Sequence, residues 1–95
     1  MARFQVAHLR EQGQDIIIVV VDRSFGHKPK AEQNQVCAGI QACATSAGLA
    51  GTVVPVWDNG GGRMAFLAPR QWVPFFQSLT LAHVAANINR ELTCG

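Results

Sequence analysis

Two short segments of this chain hold most of the residue types that do chemistry. One is Asp22-Arg23-Ser24-Phe25-Gly26-His27-Lys28, and the other is Trp57-Asp58-Asn59-Gly60-Gly61-Gly62-Arg63. Each mixes cations, carboxylates and hydrogen-bonding side chains with glycine, which lets backbone N–H groups come close to a ligand. Pro29 follows the first segment and suits the first turn of a helix. A helix N-terminus attracts anions through its free N–H groups and its dipole. The chemistry implied is the holding of a small anionic ligand, with Ser24, His27, Lys28, Asp58, Asn59 and Arg63 as the binding residues. The plainer alternative is a pair of solvated loops that turn corners. No phosphate-loop pattern GxxxxGK[ST] is present to decide for the ligand.

Catalysis has less support. Asp22, Ser24 and His27 are the residue types of a nucleophilic triad. Residues this close along one loop rarely reach the geometry a proton relay needs. Asp22 and Asp58 could serve as an acid–base pair, yet Asp is also a common turn residue because it bonds its own backbone. No catalytic residue is assigned. A small enzyme acting on an anionic substrate at this loop end stands as the alternative to a binding module. His8, His27 and His83 show no HxxxH or HExxH spacing, so neither a metal site nor a cofactor is expected.

Cys37, Cys43 and Cys94 are odd in number and lack a CxxC pair, which does not describe a disulfide framework. Cys37 and Cys43 fall on an expected helix and point about 240° apart at 3.6 residues per turn. They read as small buried hydrophobes. The first residues, MARFQVAHLREQ, lack the long apolar core of a signal peptide. The expected location is therefore the reducing cytoplasm.

Composition narrows the classes further. Of the 95 residues 48% are hydrophobic and 15% charged, with a formal charge of +2. So apolar a chain is not intrinsically disordered. The aliphatic run Ile16–Val21 is far shorter than the roughly 20 residues of a membrane span. Among the basic residues only Arg23, Lys28 and Lys30 lie close together, so nucleic acid is not an expected partner.

The elements that must position these residues follow from periodicity. Phe4–Leu9 and Ile16–Val21 read as strands joined by a turn at Gly13. Val36, Ile40, Ala44 and Ala47 mark a helix over 29–47, with Gly48 as its left-handed stop. Thr52–Trp57 and Arg63–Ala68 form a second hairpin around the glycines. Pro55 places the third strand at a sheet edge. Thr80 caps a last helix, whose stripe Leu81, Val84, Ala85, Ile88 and Leu92 runs towards the C-terminus.

The expected fold is a single α+β domain over residues 1–95 of order β-β-α-β-β-α. Its sheet would be four-stranded and antiparallel, in the order 1-2-4-3 of a permuted ferredoxin-like domain, with helices mainly on one face. A duplicated ββα unit is the alternative. Ile16–Val21 is apolar on both of its faces, so both sides of the sheet must be covered. Either the 70–79 segment or a second subunit does so. Trp72, Phe75 and Phe76 lie too continuously for one helix face, and are expected in a homodimer interface.

In size and style the chain resembles the small proteins carried by bacterial mobile elements such as integron gene cassettes. That resemblance rests on no motif and carries no site residue across. The function expected is that of a small cytoplasmic binding or protein-interaction module.

Overall fold

The computed structural model describes residues 2–94. Strands β1 (Ala2–Glu11) and β2 (Gln14–Val20) form a hairpin closed by Gln12 and Gly13, with φ of 53° and 75°. Positive φ at both central residues gives a two-residue turn whose twist matches that of its strands. A 3-10 turn at Arg23–His27 leads into helix α1 (Lys30–Ser46). Strands β3 (Thr52–Asp58) and β4 (Met64–Phe66) follow, then a 3-10 turn at Arg70–Trp72. Helices α2 (Val73–Gln77) and α3 (Leu81–Ala86) and strand β5 (Arg90–Cys94) complete the chain.

The domain is α+β as expected, but its sheet differs from the expected one. It has five strands in the order β4-β3-β2-β1-β5, so neither the four-stranded sheet nor the order 1-2-4-3 is realised. β2 and β3 run parallel, as the helical crossover requires, but they pair directly, from Ile16↔Thr52 to Val20↔Val56. The sheet is therefore mixed. β4 spans only three residues and lies outside β3. Inserted between two seven-residue strands, so short a segment would leave most of their buried backbone groups without partners.

β3 is consequently not the edge strand that Pro55 suggested. Val56 turns its carbonyl towards β2, where it accepts from the Val21 N–H, and Pro55 turns its own outward to accept from Leu67. The N–H that proline lacks would point to the side where β4 pairing ends. One residue thus has an edge environment on a strand that is otherwise interior.

The second correction concerns the C-terminal region. The expected helix stops at Ala86, and Arg90–Cys94 pairs antiparallel with β1, Phe4 opposite Leu92. Leu92 fits either period. Along β5 only Leu92 is buried, the alternation of a strand with one face on a core.

Helices cover both faces of the sheet rather than mainly one. On one face Ile40 and Ala44 of α1 pack on Val6, Ile17, Val19, Val53 and Leu92. On the other, Trp72, Phe76 and Val84 pack on Ala7, Ile16, Ile18, Val54 and Val56. The 70–88 segment thereby covers the second apolar face of β2. α1 ends as the sequence predicts. Gly48 has φ 82°, its N–H bonds Thr45 O, and the Leu49 N–H reaches back to Ala44 O, both at 3.0 Å. This paired bonding is the Schellman motif, and Leu49 packs against the α1-side core beside it.

The cysteines require a third correction. Cys43 on α1 and Cys94 on β5 are joined as a disulfide, with their Cα atoms 5.8 Å apart. Their separation of 51 residues conceals a pairing that exists only because α1 lies across the sheet near β5. Cys37 is free.

Candidate functional site

Because β2 and β3 are parallel, the loops after them emerge at one end. The two loops meet there, and Arg23 Nη2 lies 3.9 Å from where a Cβ on Gly60 would stand. Underneath, Phe25 and Trp57 pack with ring centroids 4.9 Å apart. Gly26 lies so close over the indole of Trp57 that any Cβ would collide with Nε1. Trp57 is 7% exposed, and its Nε1 has no hydrogen-bond partner among the described residues. Gln33, one turn into α1, donates from Nε2 to Phe25 O at 3.1 Å and ties the helix to this turn.

Most polar groups of the loop end are committed to turning the chain. Asp22 accepts from the Ser24 N–H at 3.0 Å. Hydrogen bonds from Ser24, its side chain first, hold the Asp22 carboxyl below the usual carboxylate value. Asp58 Oδ1 accepts from the Gly60 N–H at 2.8 Å. The Asn59 N–H donates to Arg63 O at 2.7 Å, and the Arg63 N–H to Gly60 O at 3.2 Å. Ser24, His27, Lys28, Asn59 and Arg63 are exposed, and Asp58 is half-buried. The six expected ligand residues therefore share one end, five of them exposed. Among the described residues no hydrogen bond joins His27 to Asp22 or Ser24, and none joins Asp22 to Asp58. Among the described residues no cluster of three His, Cys, Asp or Glu side chains could hold a metal.

A concave feature lies elsewhere. A groove of about 400 Å3 runs between α1, the outer side of β3 and the segment after β4. Asn34, Cys37 and Gln41 line one wall, Thr52 and Val53 the floor, and Leu67–Pro69 the other wall. It exists because β4 leaves β3 after three residues, so the start of β3 has no neighbour on that side. Gln41 fills the vacated position with its side chain. Its Oε1 accepts from the Val53 N–H at 2.8 Å, and its Nε2 donates to Gly51 O at 3.0 Å. Cys37 Sγ sits 3.8 Å from Val53 O, and burial pushes its thiol pKa up. An amide that imitates a strand keeps the edge from recruiting other chains.

Sequence reasoning did not find this groove. Cys37 and Gln41 are four residues apart and so share a helix face. Their juxtaposition with Thr52 and Pro69 depends on β4 being short, which no local pattern announces.

Trp72 and Phe76 are buried within the chain, at 5% and 1% exposure, and Phe75 is half-buried. Among the described residues no helix is long and apolar enough to cross a membrane. The chain matches no protein-family model, no curated protein and no solved structure.

Proposed function

We propose that this chain is a small binding module whose ligand lies in the groove between α1 and the outer side of β3. The groove itself carries this proposal. Its volume of about 400 Å3 falls within the range of small-ligand sites. Its walls are apolar apart from the amides of Asn34 and Gln41, the Thr52 hydroxyl and the Cys37 thiol. Such a lining suits an uncharged ligand with an apolar body and one hydrogen-bonding edge. It contains no carboxylate or imidazole for acid–base work, which favours binding over catalysis.

The test is amide-shift mapping with a set of small uncharged aromatic amides. Shifts confined to 34–41, 52–53 and 67–69, and abolished in Ala38→Trp, which fills the groove from its α1 wall, support the groove. Shifts that survive Ala38→Trp, or none at all, refute it.

A second site has its own support. Arg23, Lys28 and Arg63 belong to no ion pair among the described residues, while Asp22 and Asp58 are occupied by backbone N–H groups. The loop end therefore offers net positive charge to a small anion. Inorganic phosphate should shift the amides of 23–28 and 59–63, and the response should fade as salt screens it.

Homodimerisation rests on less surface than the aromatic segment suggests. Only Phe75, with Val73 and Pro74, faces outward from that segment. Light scattering at twice 10.2 kDa would support a dimer, and a mass of 10.2 kDa would remove it. The proposed cytoplasmic location would expose Cys43–Cys94 to thiol reductants.

A further inference from the structure

From the position of Cys43–Cys94 we infer that the disulfide is a redox-controlled fastening for β5, and that its reduction releases this strand from an otherwise intact domain. β5 has little else to hold it. It is an outer strand, paired on one side only, over five residues of β1. Leu92 is its one buried side chain, while Arg90, Glu91 and Thr93 are exposed. The central β2–β3 pair, in contrast, is apolar on both faces and covered on both. The staple is thus placed on an outer strand that has a single buried side chain of its own.

The third cysteine does not complicate the exchange. Cys37 lies six residues before Cys43 on α1 and faces the Val53 edge rather than β5. It cannot attack the disulfide unless the helix unwinds. The reductant is therefore an external dithiol. One of its thiolates attacks one sulfur of the pair, and the other sulfur leaves as a thiolate and is protonated. The second thiol of the reductant then displaces the protein sulfur from the mixed disulfide. Two electrons and two protons pass to Cys43 and Cys94, and the dithiol becomes a cyclic disulfide. With β5 still docked, Cys43 Sγ lies 3.4 Å from Thr93 O, the one acceptor a Cys43 thiol would have there. A single weak S–H contact replaces a covalent bond.

Release opens β1. Its positions from Ala2 to Val6 lose their ladder to β5 and become a free sheet edge. Beyond them Asn89 closes the same edge, accepting from the His8 N–H at 2.9 Å and donating to His8 O at 3.0 Å. Asn89 lies three residues after the end of α3, so it can remain when β5 leaves.

The experiment is hydrogen exchange on the full chain before and after treatment with dithiothreitol, with thiols counted in both states. One reactive thiol is expected before reduction and three after. The β1–β5 ladder amides should exchange roughly 50-fold faster once reduced, the factor the chain-entropy relation gives for the short tether from α3 to Cys94. The amide shifts of β2 and β3 should stay in place. Cys37→Ser should respond like the parent, and Cys94→Ser should exchange fast without reductant. Three reactive thiols in the air-oxidised folded protein would overturn the inference. Unchanged ladder exchange after reduction would do the same, as would loss of the β2–β3 shifts along with the ladder. Should Cys94→Ser fail to fold, the parent chain with and without dithiothreitol still decides between these outcomes.

Discussion

The two faces of the sheet are covered by opposite means. On one lies a single helix of 17 residues, α1, of which only Ile40 and Ala44 are buried. On the other lie a 3-10 turn and two helices of five and six residues, which bury Trp72, Phe76 and Val84. The long regular element thus supplies little apolar bulk, and the short irregular ones supply most of it. Regularity and anchoring are separate properties. Backbone hydrogen bonding sustains α1 along its length, so it can present an exposed outer face and a groove wall. The 70–88 segment has few such bonds and is held to the sheet by its aromatic side chains.

The largest effect should come from the aromatic face. Phe76 packs against Phe66 and Phe75, with centroids 5.4 Å and 5.3 Å away. Phe76→Ser removes that bulk and buries a hydroxyl, at a cost of about 4 kcal/mol or more. Small domains have only about 5–15 kcal/mol in total, so chemical denaturation should find this variant largely unfolded. A folded, soluble Phe76→Ser protein would mean that the segment is covered by a partner rather than packed on its own sheet. Ile40→Ala on the α1 face should cost about 3 kcal/mol. A larger loss there than at Phe76, in the same denaturant series, would reverse the ranking of the two faces.

The sheet edges sharpen the contrast. Gln41 and Asn89 each imitate a peptide group on an unpaired stretch of strand. Val53, which Gln41 serves, is 2% exposed, while His8 is half-buried. Gln41→Ala leaves a buried N–H unsatisfied and should cost about 2 kcal/mol; Asn89→Ala, where water reaches the freed groups, should cost about 1 kcal/mol. Equal losses would show that water enters the groove as freely as it reaches the β1 edge.

Smaller again is the stop of α1. Gly48→Ala places a Cβ at φ 82°, at a cost of about 1 kcal/mol. An unchanged thermal midpoint would contradict the assigned cap. The least effect is at Asp22, whose carboxyl is fully exposed and held below its usual pKa by Ser24. A group with a lowered folded-state pKa stabilises at pH values above its unfolded value. That contribution disappears as pH falls through the folded one. A carboxyl carbon titration should place the Asp22 midpoint below the ordinary carboxylate value, and Ser24→Ala should move it back up.

Local chemistry carried much of this fold into view. β-branched runs, the turn at Gly13, the glycine hairpin, the Thr80 cap and the Gly48 stop are each decided by a few adjacent residues. They obey φ preferences and hydrogen-bonding rules that act over one turn. The two-faced apolar pattern of β2 likewise required cover on both sides. The gathering of Ser24, His27, Lys28, Asp58, Asn59 and Arg63 at one end followed from the parallel run of β2 and β3, which the crossover enforces.

Other features depended on competition between distant partners. Whether β4 enters the sheet or stays outside it turned on how many backbone groups three residues can satisfy. Leu92 suits a helix or a strand equally, and only the free edge of β1 selected the strand. Cys43 and Cys94 found each other because α1 crosses the sheet at one angle and not another. The groove beside Gln41 arose from pairing that stops short. Such outcomes are set by the free energy of the whole packed arrangement, where one residue's best partner depends on which groups elsewhere in the chain remain unpaired.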